Sequence, residues 1–136
     1  MEQRNLQQIT KIVKNALKDE REILFCYLFG SIVRNDAIGE SDVDFAVYLS
    51  VEHKAKFFDL RLKLIERLTH ALHQQADVVV LNTASLFLKY VVIKEGKLIF
   101  VRNQEARIDF ELKALNEYFD YKPILDQYHK RLQISV

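Results

Sequence analysis

The stretch that decides the fold runs from Leu28 to Val47, L-F-G-S-I-V-R-N-D-A-I-G-E-S-D-V-D-F-A-V. It ends the apolar run Ile23–Phe29 (I-L-F-C-Y-L-F) on Gly30 and Ser31. Ten residues later it opens a second run, Asp42–Leu49 (D-V-D-F-A-V-Y-L), on two carboxylates. The first run is short and continuously apolar, as expected of a strand covered on both faces. Along the second, Val43, Phe45 and Val47 share one face while Asp42, Asp44 and Ala46 share the other. Between the runs, Ile32–Ala37 has room for one or two helical turns, and Gly39 and Ser41 mark a turn ahead of the acids.

Working outward, Leu6, Ile9, Val13, Ala16 and Leu17 predict an amphipathic helix over about 2–20, with Lys11, Lys14 and Lys18 on its other faces. Phe57, Leu60, Leu64, Leu68 and Leu72 predict a second helix over about 53–73. Ala76–Leu81 (A-D-V-V-V-L) is β-branched and apolar, a third buried strand with Asp77 near its start. Thr83 or Ser85 then caps a helix expected to turn Leu86, Phe87, Tyr90 and Val91 inward. Gly96 stops it, and Lys97–Val101 reads as a short strand at the sheet edge. From about Gln104, the pattern Ile108, Leu112, Leu115, Phe119 predicts a last long helix, which Pro123 either kinks or divides.

The 136 residues suit one domain with a real core, and 49% hydrophobic content with few Gly and Pro argues against disorder. Twenty basic residues against nineteen acidic ones give no support for a protein that coats nucleic acid, so direct nucleic-acid binding is not expected. The single cysteine, Cys26, sits inside an apolar run and reads as a core residue. No apolar run approaches the ~20 residues of a membrane span, and the charged N-terminus lacks a signal-peptide core. A cytoplasmic location is expected. His53, His70 and His73 lie in or beside the second helix, but no carboxylate or cysteine pattern completes a metal site around them.

Asp42 and Asp44, two apart on a strand, leave one face with backbones roughly 6.5–7 Å apart. Two such carboxylates repel unless protons or cations lie between them. Two divalent ions about 3.5–4 Å apart suit that spacing and also bind a triphosphate. Oxygen-only ligands favour magnesium or manganese over zinc. Asp77 can complete the set if its strand is a neighbour, binding one ion and helping take a proton from an attacking hydroxyl. Gly30 lets backbone approach phosphate oxygens, and Ser31 adds a hydroxyl and exposed N–H groups. Arg34, one turn on, can steady a leaving pyrophosphate. Taken singly, each part has an ordinary reading as a turn, a surface acid pair or a surface cation. The ordered combination carries the argument.

Gly30-Ser31, ten residues, then Asp42-x-Asp44 resembles the signature of the DNA polymerase β-like nucleotidyltransferases, most closely the minimal nucleotidyltransferase (MNT) proteins. The resemblance covers nearly the whole chain. It includes Arg34 in G-S-x-x-R, Ser41 before the acids, Asp77 in A-D-V-V-V-L, and I-K-E-G-K-L-I-F at 93–100. The tail A-L-N-E-Y-F-D-Y at 114–121 is similar to the closing helix of MNT antitoxins, partners of HEPN-domain toxins. Ile32 and Asn35 depart from the Arg and Gly that many relatives carry there.

The resemblance implies an α+β (α/β) domain, a small mixed sheet flanked by helices with a long C-terminal helix. Its core would span about 20–101 and its helical tail about 104–136. It implies that Asp42, Asp44 and Asp77 are catalytic and bind two Mg2+ ions, and that Gly30, Ser31, Arg34 and Ser41 bind the nucleotide. The implied activity is that of an antitoxin moving AMP from ATP to a tyrosine hydroxyl of a HEPN ribonuclease toxin, in a hetero-oligomer with it. A non-catalytic antitoxin acting by occlusion, or an enzyme modifying a small aminoglycoside-like molecule, are the alternatives.

Overall fold

The computed structural model describes residues 5–30 and 42–134. Strand β1 (Ile23–Phe29) has the span its apolar run predicts. It pairs antiparallel with β2 (Val43–Leu49) on one side and with β4 (Lys97–Val101) on the other. Strand β3 (Ala76–Val80) pairs parallel with β2, giving a mixed four-stranded sheet in the order β3-β2-β1-β4. The expected α+β architecture is present. The helical turn expected at Ile32–Ala37, together with Ser31, Arg34 and Ser41, lies outside the described residues.

Alternation along the strands separates two apolar layers. On one face, Val43, Phe45, Val47, Val78 and Leu28 pack against Ile9, Val13 and Leu17 of α1 (Leu6–Leu17) and Leu64, Leu68 and Leu72 of α2 (Phe57–Leu72). On the other, Phe25, Tyr27 and Ala46 pack against Val92 of α3 (Leu86–Glu95) and Phe110 of α4 (Gln104–Ile134). Phe25 is the hub of that layer, stacked on Tyr48 at 5.0 Å and tilted against Phe110 at 5.5 Å. Cys26 is a fully buried core residue, and burial pushes its thiol pKa well up, so it stays protonated.

Local chemistry sets the element ends. Asn5 caps α1 through a reciprocal pair with Gln8, its Oδ1 accepting from the Gln8 N–H at 2.8 Å. A 3-10 segment at Val51–Lys56 leads into α2, which starts later than the periodicity suggests and ends on His73 in the left-handed region, φ 55°. Ser85, rather than Thr83, caps α3 by accepting from the Leu88 N–H at 3.2 Å. After β3, the Asn82 amide donates to the Leu49 carbonyl at 2.8 Å and accepts from the Leu49 N–H at 2.9 Å, closing the end of β2 as a strand would. Arg102, just past β4, donates to the carbonyls of Leu17 and Ile23, both at 3.1 Å, and ties the α1–β1 turn to the sheet.

Of the four residues of α3 expected to face inward, Leu86, Tyr90 and Val91 are half-buried and Phe87 is turned out. Phe87 is 64% exposed, while Val92 is the buried anchor of α3. On α4, Phe110 and Ala114 face the sheet, and Ile108, Leu112 and Phe119 lie on the outside. The helix carries two apolar stripes; the narrow one seats on Phe25, and the one with the cleaner repeat is left uncovered. Pro123 lies inside α4 without dividing it. At 31 residues the helix is about 46 Å long, so its C-terminal half extends past the sheet it packs on. Tyr90 of α3 stacks on Tyr118 at 3.7 Å, the rings nearly parallel, where the two helices meet.

Phe110→Ala should destabilise the chain by about 3 kcal/mol or more in urea unfolding. Leu112→Ala, by contrast, should cost under ~0.5 kcal/mol. Equal losses would contradict the observed facing of α4.

Candidate functional site

Strand direction decides what meets at one end of the sheet. Because β1 runs antiparallel to β2, its last residue, Phe29, lies opposite Asp44 near the start of β2. Because β3 runs parallel to β2, its start lies at the same end, with Asp77 in register with Asp44. Gly30 follows directly. The Val43 N–H donates to the Gln75 carbonyl at 2.9 Å, carrying the β2–β3 pairing up to the acids. Asp42 is exposed and stands one residue before β2.

Gly30 has φ +87°, a conformation that side chains rarely adopt. A methyl group built on it would overlap Asp44 Oδ2 and lie 3.2 Å from Asp44 Cγ. The Asp44 carboxylate therefore lies against a stretch of backbone kept bare by the glycine.

Asp77 is held differently. Backbone N–H and C=O groups of alternate β3 residues point toward and away from β2, and Val78 faces away, at the outer edge of the sheet. Its N–H donates to Asp77 Oδ1 at 2.9 Å. Arg61 reaches round that edge from α2, on the other face. Its Nε donates to the Val78 carbonyl at 2.7 Å and its Nη2 pairs with Asp77 Oδ1 at 3.0 Å. The side chains of Arg61 and Asp77 are 37% and 46% exposed. Sequence reasoning passed over Arg61. Its one signal is a cation beside Leu60 and Leu64, at the border of the inward stripe of the helix that leads to β3.

The donors suit a hard divalent cation in kind, since Asp44 and Asp77 offer only anionic oxygens. Among the described residues, no three acidic, histidine or cysteine side chains converge tightly enough to enclose one. Behind the acids, on the same face, the Tyr27 hydroxyl is sealed by a hydrogen bond to Glu111, which Arg107 pairs at 2.9 Å. Burial first, and then the Glu111 carboxylate, raise the Tyr27 pKa, so the phenol remains protonated.

Gly30→Ala forces a side chain into the left-handed region and against Asp44. It should cost about 1–3 kcal/mol of stability, read as a lowered unfolding midpoint. An unchanged midpoint would refute the close approach.

A family model described as polymerase beta, nucleotidyltransferase, matches residues 10–105, more than half of the chain. The protein adenylyltransferase MntA of Shewanella oneidensis is 28% identical over 120 residues, covering 87% of this chain and 80% of that one. A chain in the crystal structure of a toxin–antitoxin with AMP-PNP superposes with a TM-score of 0.68 at 26% identity, covering 88% of this chain and 98% of that chain. A chain in the complex of tri-AMPylated Shewanella oneidensis HEPN toxin with MNT antitoxin does so with a TM-score of 0.64 at 25% identity, covering 90% and 98%. Among the described residues, no helix is long and apolar enough to cross a membrane. With its carboxylates at the shared end of β2 and β3 and a family match spanning every strand, the chain belongs to the polymerase β nucleotidyltransferase family.

Proposed function

We propose that this chain is the antitoxin of a HEPN-domain toxin and neutralises it by transferring AMP from ATP to a tyrosine hydroxyl. The observation that carries the reading is the register of Asp44 with Asp77 beside the bare backbone of Gly30. The relatives supply the acceptor class, since one similar structure holds a tri-AMPylated HEPN toxin and another holds AMP-PNP.

In this reading Asp42 and Asp44 hold two magnesium ions, with Asp77 completing one set, and Gly30, Ser31, Arg34 and Ser41 grip the triphosphate. Bound magnesium would neutralise charge on the phosphates and at the entering and leaving oxygens. Asp77 accepts the phenolic proton as the tyrosine oxygen bonds to the α-phosphorus. The bond from that phosphorus to the bridging oxygen breaks in line, and pyrophosphate departs.

The exposed apolar residues of α4 support a macromolecular acceptor. Leu112, Phe119, Tyr121, Ile124 and Tyr128 are each more than half exposed along one extended helix. Isolated exposed apolar residues are ordinary, but here they group: Leu112 and Phe119 share the side of α4 turned from the sheet, and Tyr121, Ile124 and Tyr128 continue the side of Phe110 and Ala114 beyond it, which marks an association surface. It suits a protein partner better than a small-molecule acceptor.

Co-expression with the HEPN partner should give toxin carrying one or more AMP units by intact mass. Asp44→Asn should lower transfer by about two orders of magnitude or more while leaving the complex intact. Neutralisation at full strength by Asp44→Asn, with no mass gain on the toxin, would replace this reading with occlusion. Truncation after residue 116 should abolish co-purification of the partner, and it lowers the unfolding midpoint only by the loss of the Tyr118 stack on Tyr90. Undiminished co-purification would remove α4 from the interface.

A further inference from the structure

We infer that Arg61 is a positioning residue that holds Asp77 at the outer edge of β3 and competes with a divalent cation for its carboxylate. The inference rests on the proposed reading of Asp44 and Asp77 as cation-binding groups, and adds to it a resting state. Both donors to Asp77, the Val78 N–H at 2.9 Å and Arg61 Nη2 at 3.0 Å, act on the same oxygen, Oδ1. The guanidinium cannot follow a turning carboxylate, because its Nε is fastened to the Val78 carbonyl at 2.7 Å. Rotation of Asp77 toward Asp44 therefore breaks the Arg61 pair instead of carrying it along.

Such a fastening has a reason in the fold. Asp44 and Asp77 are register partners on neighbouring parallel strands, and two carboxylates so placed repel when nothing positive lies between them. A guanidinium at the strand edge draws one carboxylate outward and offsets its charge. It also occupies a backbone carbonyl that an edge strand leaves without a ladder partner. Arg61 is partly exposed, at 37%, so the pair is in contact with water and exchanges readily. A hydrated pair of this kind is worth a factor of about two to five in an equilibrium. That is enough to weaken cation binding before nucleotide arrives and too little to prevent it.

The test reads cation binding, not turnover. Free Mn2+ is titrated by its electron paramagnetic resonance signal against the full chain without nucleotide, at fixed ionic strength. Arg61→Gln is expected to bind Mn2+ about two- to fivefold more tightly than the wild type. Combining Arg61→Gln with Asp77→Asn should erase that gain, because the effect passes through Asp77 and not through net charge alone. Arg61→Lys keeps the charge but not the two-point fastening; it should bind more tightly than the wild type as well, and it stands in if Arg61→Gln fails to fold. Equal or weaker binding in the Arg61 variants, or a gain that survives in the double variant, would overturn the proposal and leave the cation reading standing. Unchanged Mn2+ binding in both Asp44→Asn and Asp77→Asn would instead overturn the cation reading, and the proposal with it.

Discussion

The parallel pairing of β2 with β3 is the contact on which the rest of the molecule depends. A parallel neighbour brings strand starts to the same end, whereas a hairpin would have placed the start of β3 at the far end of β2. Here β2 has one neighbour of each kind. The antiparallel β1 delivers its terminus, Gly30, to the end where β2 begins, and the parallel β3 delivers Asp77 there. The connection through α2 makes this possible, since a parallel pair needs a long crossover. That same helix carries Arg61 to the outer edge of β3. One topological choice therefore sets the glycine, the carboxylates and the arginine within reach of one another.

The two faces of the sheet divide the labour. The layer under α1 and α2 is aliphatic and continuous, built by the alternation that leaves Val43, Phe45 and Val47 pointing one way. The opposite layer is aromatic, with Phe25, Tyr27 and Tyr48 meeting Phe110. Asp44 belongs to this second face by the same alternation, yet it lies beyond the cover given by Ala46 and Tyr48. Carboxylates at the end of a well-packed aromatic layer gain fixed backbones without being buried. A charged group buried there would instead carry a large desolvation cost.

Much of this was legible in the chain itself. The runs at Ile23–Phe29 and Lys97–Val101 have the spans of β1 and β4, because apolar, β-branched and aromatic stretches bounded by glycine leave little alternative. The D-V-D alternation gave the faces of β2 correctly. Phe87 of α3 is turned out where an inward position was expected, and the facing of α4 was not legible. Ile108, Leu112 and Phe119 repeat as cleanly as any core stripe, and periodicity cannot say whether an apolar stripe faces its own sheet or another molecule. Phe110 and Ala114 form the weaker pattern and are the ones that seat α4. Arg61 was illegible for a different reason. An arginine on a helix becomes notable only when tertiary structure shows which backbone carbonyl and which carboxylate it meets.

The Tyr90–Tyr118 stack has an optical consequence. The chain contains no tryptophan, so its near-ultraviolet spectrum belongs to tyrosine and phenylalanine. Two phenol rings held 3.7 Å apart and within 6° of parallel form a coupled pair of chromophores, one on α3 and one on α4. Their circular dichroism reports the docking of α4 at the point where it leaves the core, without any attached label.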